Sequence, residues 1–156
     1  MRRTGLGSGA LLVLSLLAGC NELSPENKAS GDVAVVKSAN DQPLPILFPD
    51  IRKANLYGPG CAFVPDGGGL GAIAMTQGTR AAIKLADELI ILASDPNSAK
   101  LPQGTWSHYK GEKHSLTLTR LDTAKGDAEW RGKLVISDAG DRAMFEAEGL
   151  VQCKAG

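Results

Sequence analysis

The stretch Glu129-Trp130-Arg131-Gly132-Lys133-Leu134-Val135-Ile136-Ser137-Asp138-Ala139-Gly140-Asp141-Arg142-Ala143-Met144-Phe145-Glu146-Ala147-Glu148-Gly149-Leu150-Val151-Gln152-Cys153-Lys154 reads as two strands folded back on each other. Asp138 to Asp141 carries residue types that make turns. A turn centred between Ala139 and Gly140 pairs Leu134 with Phe145, Gly132 with Ala147 and Trp130 with Gly149 on one face. The other face then pairs Lys133 with Glu146 and Arg131 with Glu148. One register therefore sends apolar residues inward and opposite charges outward, which is what a half-buried antiparallel pair requires. Opposed charges contribute only about 0.2–1 kcal/mol each, so they identify the register rather than stabilise it. Trp130 would lie over Gly149, and Cys153 falls on the inward face.

Upstream, short apolar runs recur between turn residues every eight to twelve positions, the spacing of an antiparallel sandwich or barrel. A loop at Gln77-Gly78-Thr79 pairs Ile73 with Ile83 and Met75 with Ala81, with Arg80 and Lys84 outward. A tight turn at Asp87 pairs Leu85 with Leu89 and Ile83 with Ile91. Leu89-Ile90-Ile91-Leu92-Ala93 is apolar at every position, so cover on both faces of a strand is expected, with a short buried helix as the competing reading. A hairpin about Gly111 pairs Trp106 with Leu116 and Thr105 with Thr117. With Cys61-Ala62-Phe63-Val64 as first strand, these hairpins form a meander. The expected fold is all-β: an antiparallel meander over residues 55–156, forming a small barrel or sandwich.

The amino-terminal third differs. Arg2 and Arg3 precede the apolar run Ala10 to Ala18 and then Gly19-Cys20. A basic start, an apolar stretch of this length and small residues at its end mark a secretory signal. The run is shorter than the roughly 20 residues a spanning helix needs. Leu17-Ala18-Gly19-Cys20 resembles the lipobox of bacterial lipoproteins. That resemblance implies diacylglycerol transfer to the Cys20 thiol, cleavage before Cys20 and acylation of the new amino terminus. Residues 1–19 are then a lipoprotein signal peptide, and the membrane is a partner through lipid on Cys20. Asn21 stands where Asp favours the inner membrane in the Gram-negative pattern, so the outer membrane, facing the periplasm, is the expected location. Residues 20–54 read as the lipidated cysteine and a disordered tether. Ser24-Pro25-Glu26-Asn27-Lys28 is polar, and Pro43, Pro45 and Pro49 interrupt regular structure. Within it Val33-Ala34-Val35-Val36 offers a strand and Pro49 to Asn55 one helical turn.

With Cys20 assigned to lipid, Cys61 and Cys153 remain as a pair in an oxidising compartment, and a disulfide is expected between them. Removal of Arg2 and Arg3 from 17 Lys+Arg, against 17 Asp+Glu, leaves a charge of −2 with signs interspersed. That balance argues against nucleic acid as a partner. An envelope protein remains a candidate partner.

No constellation demands catalysis, and no cofactor is expected. His108 and His114 are the only histidines, cross-strand neighbours in the Gly111 register, yet a metal site needs three or four ligands. Ser107, His108 and Asp122 are triad types without a nucleophile elbow. Glu146 and Glu148 point to a solvated face. Pro65-Asp66-Gly67-Gly68-Gly69-Leu70-Gly71 lacks the lysine and following helix of a phosphate loop. It reads as a wide turn, with Asp66, Gly67, Gly68 and Gly69 as a candidate binding loop. Gly104-Thr105-Trp106 looks like the Gly-x-Trp motif of lipocalins, which implies a ligand-binding barrel, although here the motif lies mid-domain. In lipobox, size and cysteine placement the chain is similar to small periplasmic lysozyme inhibitors, compact β-barrels with a disulfide between an early and a late strand. It lacks their Ser-Gly-x-x-Tyr motif. The function expected from the sequence is a non-enzymatic binding or envelope-structural role, with inhibition of a cell-wall hydrolase and small-ligand binding as alternatives.

Overall fold

A computed structural model describes residues 42–156 apart from 68, 70 and 123–125. The signal segment, Cys20, the Val33–Val36 run and Gly68 lie outside the described residues. Eight antiparallel strands follow one another around a closed barrel: β1 (Gly60–Pro65), β2 (Ala74–Thr76), β3 (Arg80–Leu85), β4 (Glu88–Ser94), β5 (His108–Lys110), β6 (His114–Arg120), β7 (Glu129–Asp138) and β8 (Ala143–Lys154). β1 and β8 close the ring, with Cys61 opposite Cys153, Phe63 opposite Val151 and Pro65 opposite Gly149. Closure leaves no sheet edge to aggregate. The expected meander is thus a barrel, not a sandwich.

The interior follows from strand alternation. Phe63, Ile83, Leu92, Tyr109, Leu116, Leu118, Trp130, Leu134, Ile136 and Val151 point inward and are buried. Glycines make room for the largest rings. A Cβ on Gly149 would stand 2.2 Å from the Val64 carbonyl oxygen and 2.9 Å from Phe63 Cζ, and one on Gly132 would meet Trp130 Cζ3 at 3.0 Å.

The registers are close to the expected ones, and their departures trace to turns. In β7–β8, Leu134 faces Ala147, Gly132 faces Gly149 and Trp130 faces Val151. That is two residues from the sequence reading. The loop is Ala139–Asp141 with Asp141 at φ 60°, and a bulge follows at Ile136/Ser137. Asp138 Oδ1 accepts the N–H groups of Gly140 (2.9 Å) and Arg142 (3.1 Å), which holds this wider turn. A shift of two preserves facing, so every inward residue stayed inward. The Trp130 ring lies over Gly132, not Gly149.

The β2–β3 and β3–β4 registers differ by one. Ile83 faces Ala74 and Ile90, while Met75 pairs with Ala82 on the outer face. The β3–β4 turn consists of Ala86 and Asp87, both at positive φ (46° and 65°), a conformation usually given to Gly or Asn. Ala86 offers no such signal. β5–β6 differs by three: Tyr109 faces Leu116 and His108 faces Thr117.

Residues 42–54 belong to the folded unit rather than to a linker. Leu44 N–H donates to the Lys84 carbonyl and Ile46 N–H to the Ala72 carbonyl, both at 2.8 Å. The helix α1 (Phe48–Ala54) follows, displaced one residue toward the amino terminus from the turn expected over Pro49 to Asn55. Asp50 Oδ2 accepts the Leu47 N–H at 2.9 Å, satisfying a free donor at its start, and Asn55 ends it in the left-handed conformation. Ile46 and Leu56 are buried with Ala82 outside the barrel wall, and Ile51, Met75 and Leu89 pack against them. Lys84 Nζ reaches Asp50 Oδ2 at 3.1 Å and ties the helix to β3.

Candidate functional site

Among the described residues, aromatic and aliphatic side chains fill the barrel interior. One end is covered by the β4–β5 connection. Trp106 Nε1 donates to the Gly78 carbonyl at 2.9 Å. Tyr109 hydroxyl donates to the Gln77 carbonyl and accepts the Trp106 N–H, each at 2.9 Å. Burial pushes the Tyr109 hydroxyl above its ordinary value, against hydrogen bonds that pull it down, so it stays a neutral donor. Gly104-Thr105-Trp106 therefore helps to close a barrel end instead of opening a first strand. The turn at Pro102–Gly104 also meets the seam: Thr105 Oγ1 lies 4.0 Å from Cys61 Sγ. Cys61 and Cys153 are bonded there (S–S 2.06 Å), and the Trp130 indole N–H points at Cys153 Sγ from 3.3 Å.

The histidines are not partners. His108 Nδ1 is 3.1 Å from Thr117 Oγ1. His114 faces Asp138 in register, and its Nδ1 is buried without a hydrogen-bond partner. It borders an open groove of about 350 Å³ with Glu88, Glu112 and Lys113. Among the described residues, no group of three or more His, Cys, Asp or Glu side chains is placed to hold a metal ion. The triad types are engaged separately. Ser107 Oγ accepts the Ala99 N–H at 3.1 Å, while Asp122 takes Arg120 Nε at 2.9 Å and the Arg131 N–H at 2.6 Å. Glu146 pairs with Lys133 at 2.7 Å across a diagonal, on the solvated face expected of it.

In the glycine-rich loop, Gly67 (φ 64°) and Gly69 (φ 85°) have the positive φ angles expected of a wide turn, and a Cβ at either would meet only open space. Asp66 is not available as a free carboxylate. Arg131 grips it with both guanidinium nitrogens, Nη1 to Oδ1 at 2.6 Å and Nη2 to Oδ2. That hydrogen bond, ahead of the charge itself, holds the Asp66 carboxyl below its ordinary value.

The feature that sequence reading missed lies outside the barrel wall, where residues of α1 share a groove with residues of β1, β2 and β8. A groove of about 280 Å³ runs between them, lined by Phe48, Ile51, Tyr57, Ala62, Met75 and Lys154 among others. Phe48 (63 % exposed), Leu47 (56 %) and Tyr57 (52 %) stand in solvent around it. A hollow beside it is formed by Phe48, Pro49, Arg52 and Lys53. Scattered exposed apolar residues are ordinary, but Phe48 and Tyr57 share one groove. The signal was present in Leu47-Phe48 beside Pro49, obscured by the assignment of that region to the tether. No protein-family model, curated protein or solved structure matches the chain.

Proposed function

We propose that this chain is a lipid-anchored lipoprotein of the bacterial cell envelope, on the outer membrane facing the periplasm. Its barrel serves as a rigid scaffold with a non-enzymatic binding or envelope-structural role. The observation that carries this reading is Leu17-Ala18-Gly19-Cys20 behind Arg2, Arg3 and an apolar run. Two or more acyl chains anchor stably where one does not. A disulfide across the barrel seam agrees with an oxidising compartment. The filled interior favours the outer surface over an enclosed small-ligand site, since ligand pockets are concave and mostly enclosed. Metabolic labelling with a palmitate analogue tests the anchor: labelling is expected in the wild type and lost in Cys20→Ala, and equal labelling of both refutes it.

Inhibition of a cell-wall hydrolase is the second reading, supported by Tyr57 standing exposed in the turn after α1. A lysozyme turbidity assay decides it, with suppression expected from the wild type and lost in Tyr57→Ala.

A further inference from the structure

We propose that the α1 face of the barrel is a membrane-contact surface, which seats the domain on anionic lipid headgroups. This rests on the lipid-anchor reading and extends it from the address of the protein to its posture. The structural observation is a grouping of two residue classes. Phe48 and Tyr57 are exposed and share one groove with Lys154, and Leu47, next to Phe48 in sequence, is exposed too. Phe48 shares the adjoining hollow with Arg52 and Lys53. Exposed aromatics beside cations are the composition of interfacial segments, in which rings enter the headgroup layer and cations meet lipid phosphates.

The charges of this side are arranged around one acid, Asp50, whose carboxylate also feels Lys53. Asp50, the acid of α1, is turned toward β3 and paired with Lys84. Arg52, Lys53 and Lys154 have no ion-pair partner among the described residues. Arg52 beside Phe48 and Lys154 in the groove carry the positive charge of this side, while Lys53 also borders a hollow with Asp87 and Glu88.

Position in the chain supplies the second argument. Residues 21–41 join Cys20 to the first described residue, Gln42, and even fully extended they span about 75 Å at most. Phe48 follows within one short turn of chain. An anchored barrel meets the bilayer at the high effective concentration of a short linkage, so a contact too weak to bind from solution suffices. A protein partner could use the same aromatics, but the unpaired cations and the nearness to the anchor favour lipid.

The test uses the chain from Cys20 onward, which contains the whole described fold. With Cys61 and Cys153 bonded, Cys20 carries its single free thiol. That thiol is coupled to a maleimide phospholipid in vesicles of phosphatidylethanolamine and phosphatidylglycerol. Phe48→Trp reports the patch, read against the parent spectrum, with Tyr57→Trp as an independent second probe. The expected result is a blue shift on coupling and about twofold quenching by brominated lipid, both lost in Arg52→Glu/Lys53→Glu and weakened by salt. An emission spectrum identical in free and coupled protein overturns the proposal. A shift that survives the charge reversal overturns it too. Because the coupling is chemical, failure here is separable from failure of Cys20 acylation in the cell.

Discussion

Cys61 and Cys153 face each other across the seam where the first strand meets the last, with their Cα atoms 4.0 Å apart at a sequence separation of 92. The bond therefore closes a barrel that backbone pairing has already closed. A loop of this length has a chain-entropy contribution of about 4–5 kcal/mol, an upper figure that native-state strain reduces. The double variant Cys61→Ala/Cys153→Ala is expected to keep the fold and lose about 2–4 kcal/mol, read as a lower midpoint in guanidinium unfolding. An unchanged midpoint would show that strand pairing alone sets the stability of the seam.

Gly149 tests the seam from the other side. Its missing Cβ is required by the Val64 carbonyl at 2.2 Å and Pro65 Cα at 2.8 Å, both backbone atoms that cannot swing away. Gly149→Ala is expected to cost about 3 kcal/mol through forced separation of β1 from β8. Gly67→Ala in the glycine-rich loop is the control. It has open space but a φ of 64°, so about 1 kcal/mol is expected there. Thermal unfolding of the two variants should rank them in that order.

The contrast between these glycines shows what was legible in the sequence. Alternation identified the inward residues of β7 and β8 because a two-residue shift keeps their facing. It misassigned Met75 because the β2–β3 loop is the two residues Gly78-Thr79, closed by the Gln77 N–H on the Arg80 carbonyl, rather than three, and one residue of slip exchanges the faces. The all-apolar run Leu89–Ala93 did report cover on both sides of β4, but its outer cover is α1, packed against Leu89, while Ile91 stays 43 % exposed. That helix was unreadable as part of the fold. At seven residues it is too short to declare an amphipathic period, and it stands among prolines. The candidate contact face went unseen for the same reason.

Docking of α1 is itself testable. Leu56 is 3 % exposed and lies beneath the chain that leaves the helix, beside Ala82 and Ile46. Leu56→Ala is expected to cost about 2–3 kcal/mol. It should raise hydrogen exchange in residues 44–56 well before the barrel strands exchange, because helix and wall form a separate small core. Uniform loss of protection through the barrel would contradict that separation.

Acid should weaken the molecule through three carboxyls. The Leu47 N–H, then Lys84, holds Asp50 below its ordinary value; Arg131 does so for Asp66, and the Arg142 N–H for Asp138. In the unfolded chain these groups titrate near 3.8. A depressed folded value means that their stabilisation is fully present above that range and is lost as pH falls through the lower folded values. The urea midpoint should therefore hold from about pH 7 to about pH 5 and then drop. Asp66→Asn should flatten the drop while lowering the plateau, since the solvated Arg131 pair contributes modestly.

Alkali acts through Tyr109, with the opposite sign. Its hydroxyl is raised above 10.0 by burial and sits between the Gln77 carbonyl and the Trp106 N–H. The unfolded chain loses this proton first as pH rises past the ordinary tyrosine value, so the unfolded state is favoured from there upward. Tyr109→Phe removes the titration and strands two backbone groups at the barrel end, at a cost of about 1–3 kcal/mol near neutrality. The variant should thus be the less stable protein at pH 7, and its midpoint should fall less steeply than the wild type above about pH 10. Parallel decline of the two would place the alkaline loss elsewhere, for Tyr109 is the tyrosine buried in the core while Tyr57 stands in solvent.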